Sequence, residues 1–131
     1  MSDDAIPALG PAQIGAVLEF LPVFEAAGYR FGEWETPEGQ FPYFAYSAEV
    51  SRFIQTLYAE NIVIRFDWSQ WQEAAKIYLD DRAALAGADL LTLRKLLTLH
   101  VRKDRFVEGH LAAMLESGHI MAILRRMSQI R

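Results

Sequence analysis

The C-terminal part of the sequence repeats apolar residues at helical spacing, and this pattern constrains the fold more than any other feature. After Asp89, which suits a helix N-cap, the stretch Leu90–Lys103 places apolar residues on one side at intervals of three and four. Two further stretches, about Val107–Glu116 and His119–Gln129, continue the pattern across a turn that contains Gly118. The sequence therefore predicts that this part of the chain is built from helices.

The first two thirds of the sequence contain weaker helical signals that are separated by breakers. Pro11 suits a first helical position, and Pro22 either bends that helix or begins a second one up to Ala27. Two later helices are predicted by apolar spacing and caps: one from Ser47 through Ala59, which a left-handed Asn61 would end, and one from Asp67 or Ser69 to about Leu79. Ser69 and Gln72 have the spacing of a capping box, and Asp80-Asp81 ends this helix and opens a short turn. The β-branched run Ile62–Phe66 between them is interpreted either as a strand or as extended chain in the core.

An aromatic-rich segment near the N-terminus predicts a hairpin. The stretches Tyr29–Glu35 and Gln40–Tyr46 flank Thr36-Pro37-Glu38-Gly39, whose proline and glycine positions fit a type I turn. Pro42 makes the second stretch an edge strand or an irregular extended segment. The predicted fold is mainly α: a compact array of about five to six helices with a small aromatic-rich β-hairpin or extended element. It is α+β if the hairpin forms.

Charge divides the chain unevenly. Residues 1–91 have 5 Lys and Arg against 14 Asp and Glu, whereas residues 92–131 have 8 against 3, so the net charge of −4 is −9 beside +5. Such asymmetry is typical either of a basic surface with an anionic partner or of two parts that neutralise each other in one fold. The length of 131 residues suits a single domain, with residues 1–10 as a flexible N-terminus.

Several classes of protein are disfavoured by composition. No apolar run approaches the roughly 18 residues of a membrane span, and the acidic start MSDDAIPALG lacks the regions of a signal peptide. The chain has no cysteine, which is compatible with a reducing compartment and removes thiolate chemistry. We therefore expect a cytoplasmic protein without a membrane partner.

Five segments together resemble a known family. They are Phe31-Gly32-Glu33-Trp34, Phe41 to Ser47, Phe66-Asp67-Trp68, Arg102 to Leu111, and Ser117-Gly118-His119-Ile120 with the Ile123-Leu124-Arg125-Arg126 that follows. This combination resembles a family of small prokaryotic proteins classified as a domain of unknown function, from about Leu21 to the C-terminus. The resemblance implies a single-domain bacterial or archaeal protein, and it implies no catalytic residue.

Basic residues on the helix predicted for Leu90–Lys103 are the first candidate site. Arg94, Thr98 and Arg102 lie on one side of a helical wheel, with Lys103 and Arg105 nearby, so this face can bind phosphate groups. A solvated helix face, or arginines paired with acidic residues, explains the same pattern. Bases could also stack on aromatic residues (Trp34, Tyr43, Tyr46, Trp68 and Trp71), although core packing is the favoured interpretation.

The polar cluster between Arg102 and His110 is the second candidate. Glu108 and His110 offer a carboxylate and an imidazole for acid–base chemistry, while helix capping explains Asp104 and Glu108 without a substrate. His100 falls on an apolar helix face, which predicts a buried, neutral, hydrogen-bonded imidazole. The spacing of the three histidines matches no zinc signature, and the sequence predicts no metal and no cofactor.

Three function classes follow from these candidates. The first is a non-catalytic binding protein that contacts a protein or nucleic-acid partner through basic C-terminal helices. The second is a small hydrolase or phosphoryl-handling enzyme centred on Glu108, His110 and Arg105, and the third is a structural subunit that forms a homodimer. The helical pair around Gly118 also fits a helix-turn-helix, but its second helix begins with residues that read base edges poorly. The balance favours binding over catalysis.

Overall fold

Short helices surround one long central helix and a two-stranded hairpin in the computed structural model, which describes residues 6–131. The elements in chain order are α1 (Pro11–Leu18), α2 (Leu21–Glu25), β1 (Gly32–Glu35), β2 (Tyr43–Tyr46), α3 (Ala48–Ala59), a 3-10 turn (Trp68–Trp71), α4 (Gln72–Asp80), α5 (Arg82–Ala86), α6 (Leu90–Lys103), α7 (His110–Glu116) and α8 (His119–Ile130). The mainly α fold class with a small hairpin is confirmed. No helix in the described range is long and apolar enough to cross a membrane.

Local capping chemistry sets several of these boundaries. Ser47 accepts a hydrogen bond from the Val50 N–H at 3.2 Å, and Asp89 accepts one from the Thr92 N–H at 2.8 Å, as their positions in the sequence predicted. Asp81 caps α5, a short helix where the sequence predicted only a turn. The capping box expected between Ser69 and Gln72 does not form, because the Gln72 side chain donates to the Ser69 carbonyl instead.

The aromatic segment forms the predicted hairpin. Strands β1 and β2 pair antiparallel, with Trp34 opposite Phe44 and Gly32 opposite Tyr46. Gly32 has φ +151°, and a Cβ there would lie 2.2 Å from the Ala45 carbonyl oxygen, so the close approach of the two strands requires glycine. Pro42 lies before β2, where it does not interrupt the strand pairing.

Helix α6 is the centre of the fold. Its residues from Leu96 to Val101 are all buried, and they pack in a core that draws apolar side chains from α1, α3, α7 and α8. A helix at the surface would alternate buried and exposed faces, whereas here the middle of α6 is covered on every side. The polar side chains of this stretch therefore need partners inside the protein.

The basic face predicted for α6 is wrong at Arg94 and Thr98. Arg94 is only 4% exposed, and its guanidinium donates to the backbone carbonyls of Pro7, Asn61 and Ile62. Thr98 accepts from the Ile64 N–H at 3.0 Å. The helical wheel identified the polar side of α6 correctly, but residues 61–64 cover that side.

These contacts also settle the structure of the stretch around Ile62. It is extended chain in the core rather than a strand, and it follows Asn61, whose φ of +62° ends the region of α3 as predicted. Because no neighbouring strand supplies hydrogen bonds, side chains of α6 take their place. The flexible N-terminus predicted for residues 1–10 lies partly outside the described residues; within them, Pro7 is anchored by Arg94.

The aromatic residues divide between core and surface. Five rings pack edge-to-face or tilted between α2, the start of the hairpin and α3: Phe20, Phe24, Tyr29, Phe31 and Phe53. Trp34 and Tyr43, in contrast, are 53% and 45% exposed, so the core interpretation is wrong for these two. The hairpin therefore presents aromatic surface to solvent.

Replacing Arg94 tests whether it serves the fold. We expect Arg94→Met to lower the free energy of unfolding by about 2 kcal/mol or more, because it leaves buried carbonyl groups without donors. Urea unfolding followed by circular dichroism measures the change. Arg102→Met on the same helix is the matched control and should cost less than about 1 kcal/mol. Equal stabilities of the two variants would contradict the structural role of Arg94.

Candidate functional site

Three histidines from three helices form one hydrogen-bonded row, which we call the histidine row. His100 is fully buried in α6; its Nδ1 lies 3.0 Å from Nε2 of His110, and its Nε2 lies 3.1 Å from Nε2 of His119. His119 is 1% exposed, whereas His110 is half-buried. His100 is buried and hydrogen-bonded as predicted, but its partners are two residues that the spacing did not connect with it.

A repeated local feature brings these rings together. Helices α7 and α8 each begin with a Gly-His pair, and Gly109 and Gly118 have φ of +79° and +85°. These left-handed glycines reverse the chain so that the first residue of each helix faces α6. The signal was present in the sequence as two Gly-His pairs before apolar helical stretches.

The geometry of the row is that of a relay and not of a metal centre. The central ring uses opposite nitrogens for its two neighbours, so the three imidazoles cannot direct their lone pairs at one point. Within residues 6–131, no group of three acidic or histidine side chains is arranged to hold a metal ion. Protons, however, can be redistributed along such a row.

Burial keeps the three imidazoles neutral. Desolvation lowers the pKa of all three rings: it moves the pKa of His119 to about 4, with a further lowering by Arg82, and places the pKa of His100 well below 6.5. Desolvation also lowers the pKa of His110, reinforced by Lys103 and opposed by Asp104. At neutral pH each ring therefore has one N–H.

Neutral rings leave two consistent arrangements of protons. In one arrangement the terminal N–H is on His110 Nδ1, and in the other it is on His119 Nδ1. Both hydrogen bonds of the row have opposite directions in the two arrangements. His119 Nδ1 is buried without a partner and the ring lies in the field of Arg82, so an N–H there is disfavoured. We therefore assign the terminal N–H to Nδ1 of His110, the half-buried ring of the row.

His110 lines a pocket with a volume of about 590 Å³. We call it the hairpin pocket, because it lies between the hairpin and the start of α7. Its walls are aromatic, charged and small side chains: Arg30, Glu33, Trp34, Phe44, Glu108, Glu116 and the residues around Gly109. Both Glu108 and His110 thus lie on one pocket, as the acid–base hypothesis requires.

A polar network fixes the pocket walls. Tyr46 donates its hydroxyl hydrogen to Asp104 at 2.6 Å, while Asp104 and the Tyr46 oxygen accept from the first N–H groups of α7, those of Leu111 and Ala112. The predicted capping role of Asp104 is confirmed. Burial, together with the hydrogen bond to Asp104, raises the pKa of Tyr46 far above its usual range, so the hydroxyl stays protonated.

Glu108 and Gly109 attach the hairpin to this corner. Glu108 accepts a hydrogen bond from the Phe44 N–H at 2.8 Å, so one of its oxygens holds β2. Gly109 has no side chain, and a Cβ there would lie 2.8 Å from Cζ2 of Trp34. The indole therefore rests on bare backbone, and 53% of Trp34 stays exposed.

Two of the remaining basic candidates lie together on another surface, around Tyr58. Arg102 lies over the Tyr58 ring with its Cζ 5.7 Å from the centroid, and Arg105 approaches the Tyr58 hydroxyl at 3.4 Å. Lys103 follows Arg102, and Lys95 lies two helical turns earlier on the same side of α6 as Arg102. We define the basic strip as the surface formed by four cations and three aromatic rings. The cations are Lys95, Arg102, Lys103 and Arg105, and the rings are Tyr58, Trp68 and Phe106.

Helix α8 does not have the exposure of a recognition helix. Its first residues, His119 and Ile120, are buried. Its arginines serve the fold: Arg125 pairs with Glu25, and Arg126 donates to the Ala88 carbonyl at 2.8 Å. A helix that enters a DNA groove would present its N-terminal side chains to bases, which this burial prevents.

Comparison with known proteins returns one match. The model of a family described as a family of unknown function (DUF6508) matches residues 9–131. No curated protein and no solved structure matches the chain.

The histidine row predicts how stability depends on pH. The pKa of His119 is about 4 in the folded protein, against about 6.5 for an unperturbed imidazole, so the unfolded chain binds protons first when the pH falls. Stability is complete above the unfolded pKa, and we expect a loss of about 2 kcal/mol between pH 7 and about pH 5 from this group. Urea unfolding at each pH measures it.

NMR of the imidazole carbons provides the direct check. We expect the Cε1 signals of His100 and His119 to show no titration down to about pH 5. A midpoint near the unperturbed value for either ring would contradict the buried, neutral row.

Proposed function

The chain belongs to this family of unknown function, and we propose that it acts as a non-catalytic binding protein that holds a phosphate-bearing partner, single-stranded nucleic acid, on the basic strip. The observation that carries the proposal is that cations lie against aromatic rings near α6: Arg102 and Arg105 at Tyr58, and Lys95 at Phe66 and Trp71. Guanidinium and ammonium groups bind phosphates, and exposed rings stack with bases of any sequence.

The cations of the basic strip are available. No ion pair is formed by Lys95, Arg102, Lys103 or Arg105 within residues 6–131. Arg30, Arg52, Lys76 and Arg125, which form ion pairs, lie elsewhere. Of the basic residues that the sequence suggested as candidates on α6, only Arg94 is unavailable, because it is buried.

An exposed ring favours a single strand over a duplex. Phe106 is 76% exposed and lies 6.0 Å from Trp68, so one face of this pair is open to a base. Bases are free to stack on a protein ring only where they are unpaired. The buried start of α8 removes the other route, in which a helix reads the major groove.

The acidic net charge does not oppose this proposal. At about 0.1 M salt the Debye length is about 10 Å, so a bound strand responds to charges near the basic strip and much less to distant ones. Asp104, an acidic residue beside Lys103, accepts hydrogen bonds from the Tyr46 hydroxyl and from the Leu111 N–H at the start of α7. Against the four cations of the strip, Asp67 beside Trp68 and Asp104 beside Lys103 contribute two negative charges, so the local balance is positive.

An acid–base enzyme centred on Glu108 and His110 is the alternative. The hairpin pocket brings these two side chains together, which favours it. Arg105, the third member of that hypothesis, instead contacts Tyr58, and Glu108 is engaged with the Phe44 N–H. We therefore place binding ahead of catalysis.

We also propose a cytoplasmic location in a prokaryote and a homodimeric assembly. The absence of cysteine and the resemblance to prokaryotic proteins support a cytoplasmic protein of a prokaryote. Exposed Phe41 and Tyr43 on the hairpin support a homodimer, which light scattering on the purified chain would test.

Salt dependence tests the electrostatic part of the proposal. We expect a fluorescent single-stranded oligonucleotide to bind at about 50 mM salt, and the plot of log affinity against log salt to have a slope no steeper than about −3 for four cations. Arg102→Ala with Arg105→Ala should make the slope shallower by about 1.4. Fluorescence anisotropy measures both.

The matched control removes two positive charges outside the basic strip. Lys76→Ala with Arg131→Ala changes the net charge equally and should leave the slope unchanged. Equal losses in both double variants, or no binding at low salt, would overturn the proposal.

Phe106 tests the stacking part separately. We expect Phe106→Ala to weaken binding of a single strand roughly tenfold without changing the salt slope, because it removes a stacking ring and no charge. Since the ring is 76% exposed, stability should be unaffected. Ile77→Ala, another exposed apolar residue, is the control. An unchanged affinity of Phe106→Ala would exclude stacking on this ring.

A further inference from the structure

The hairpin pocket is separate from the basic strip and has the opposite charge. Among its lining residues, three carboxylates (Glu33, Glu108 and Glu116) face one guanidinium, that of Arg30. Arg30 is paired with Glu33 at 3.6 Å, and within residues 6–131 Glu108 and Glu116 form no ion pair. The lining therefore has an excess of negative charge, although Lys103, outside the lining, lies close enough to lower the pKa of His110.

An open indole face adds a second requirement. Cations lie over the rings of Tyr58, Phe66 and Trp71 elsewhere in the described range, but none lies over Trp34. Trp34 lines the pocket, is 53% exposed, and is held edge-on against Phe44 at 5.6 Å between centroids. An indole face beside carboxylates attracts an ammonium group more strongly than it attracts a neutral group.

The histidine row supplies a third feature that points to a ligand. It crosses the core from a buried, unpartnered Nδ1 of His119 and opens only at His110, in the pocket wall. A buried row of polar groups is costly in an apolar core, and its open end offers one N–H to whatever occupies the pocket. Because His110 is neutral, it does not cancel the negative charge of the carboxylates.

We propose that the hairpin pocket binds a small molecule that has an ammonium group and, a few atoms away, a hydroxyl or carbonyl oxygen. The ammonium group lies on Trp34 and between Glu108 and Glu116, and the oxygen accepts the N–H of His110. The volume of about 590 Å³ accommodates a ligand of at least the size of a hexose. Ligand binding in the hairpin pocket does not depend on nucleic-acid binding to the basic strip, so each can be present without the other.

A series of three sugars of similar size separates charge from shape. D-glucosamine has the ammonium and the hydroxyl groups, D-glucose has only the hydroxyl groups, and D-glucuronate has the opposite charge. Titration of each into the ¹⁵N-labelled full chain, followed at the Trp34 indole N–H and the Gly109 amide, measures the three affinities. Ethanolamine and ethylene glycol form a second, flexible pair with the same contrast.

We expect the ammonium compound of each set to bind at least tenfold more tightly than its neutral counterpart, and glucuronate to bind most weakly. Equal affinities for glucosamine and glucose would show that the pocket reads hydroxyl groups and would overturn the proposal. Tightest binding of glucuronate, or no shift with either ammonium compound at tens of millimolar, would overturn it as well.

Variants of the pocket locate the binding. Trp34→Ala and Glu116→Gln should each weaken the binding of glucosamine about tenfold, since each removes one of the two attractions for the ammonium group. Both side chains are exposed, so the fold should persist, which the rest of the amide spectrum reports. Glu73→Gln on α4 makes the same change of charge away from the pocket and should have no effect. A loss in Glu73→Gln equal to that in Glu116→Gln would mean that net charge, not this pocket, attracts the amine.

Discussion

The burial of α6 is the constraint on which the rest of the structure depends. A helix that is covered along its middle must find internal partners for every polar side chain it has there, because an unpaired buried group costs about 1–3 kcal/mol. Arg94 donates to backbone carbonyls of the chain before α1 and after α3, and Thr98 accepts from the Ile64 N–H. His100 forms hydrogen bonds with two other imidazoles. These hydrogen bonds fix the positions of the surrounding segments relative to α6.

The same constraint produces both surfaces to which we assign binding. Where α6 emerges from the core, Arg102 and Arg105 reach solvent beside aromatic rings from the preceding helices. The chain then turns through Gly109, and Asp104 and Glu108 hold α7 and the hairpin to this corner. The basic strip and the hairpin pocket thus both involve the segment 102–110, but they differ in charge and therefore in the partners they suit.

Local chemistry was sufficient to predict much of the fold. Ser47 and Asp89 cap helices, Asn61 adopts the left-handed conformation, and the turn around Pro37 and Gly39 joins two strands. Interactions over a few residues determine each of these features. The site was less predictable: Arg94 was assigned to a surface, and Trp34 to the core, because a helical wheel or an aromatic count does not show how many segments cover a residue.

By itself the sequence determined the mainly α fold class, the helix caps, the hairpin and the buried, neutral state of His100, since all of these follow from spacing and from the chemistry of single residues. Only the tertiary structure decided which histidines meet, which arginine is buried and where the hairpin leaves a pocket. The reason is physical: His100, His110 and His119 are ten and nine positions apart along the chain. Their hydrogen bonds depend on two left-handed glycines and on the packing of α7 and α8 against α6.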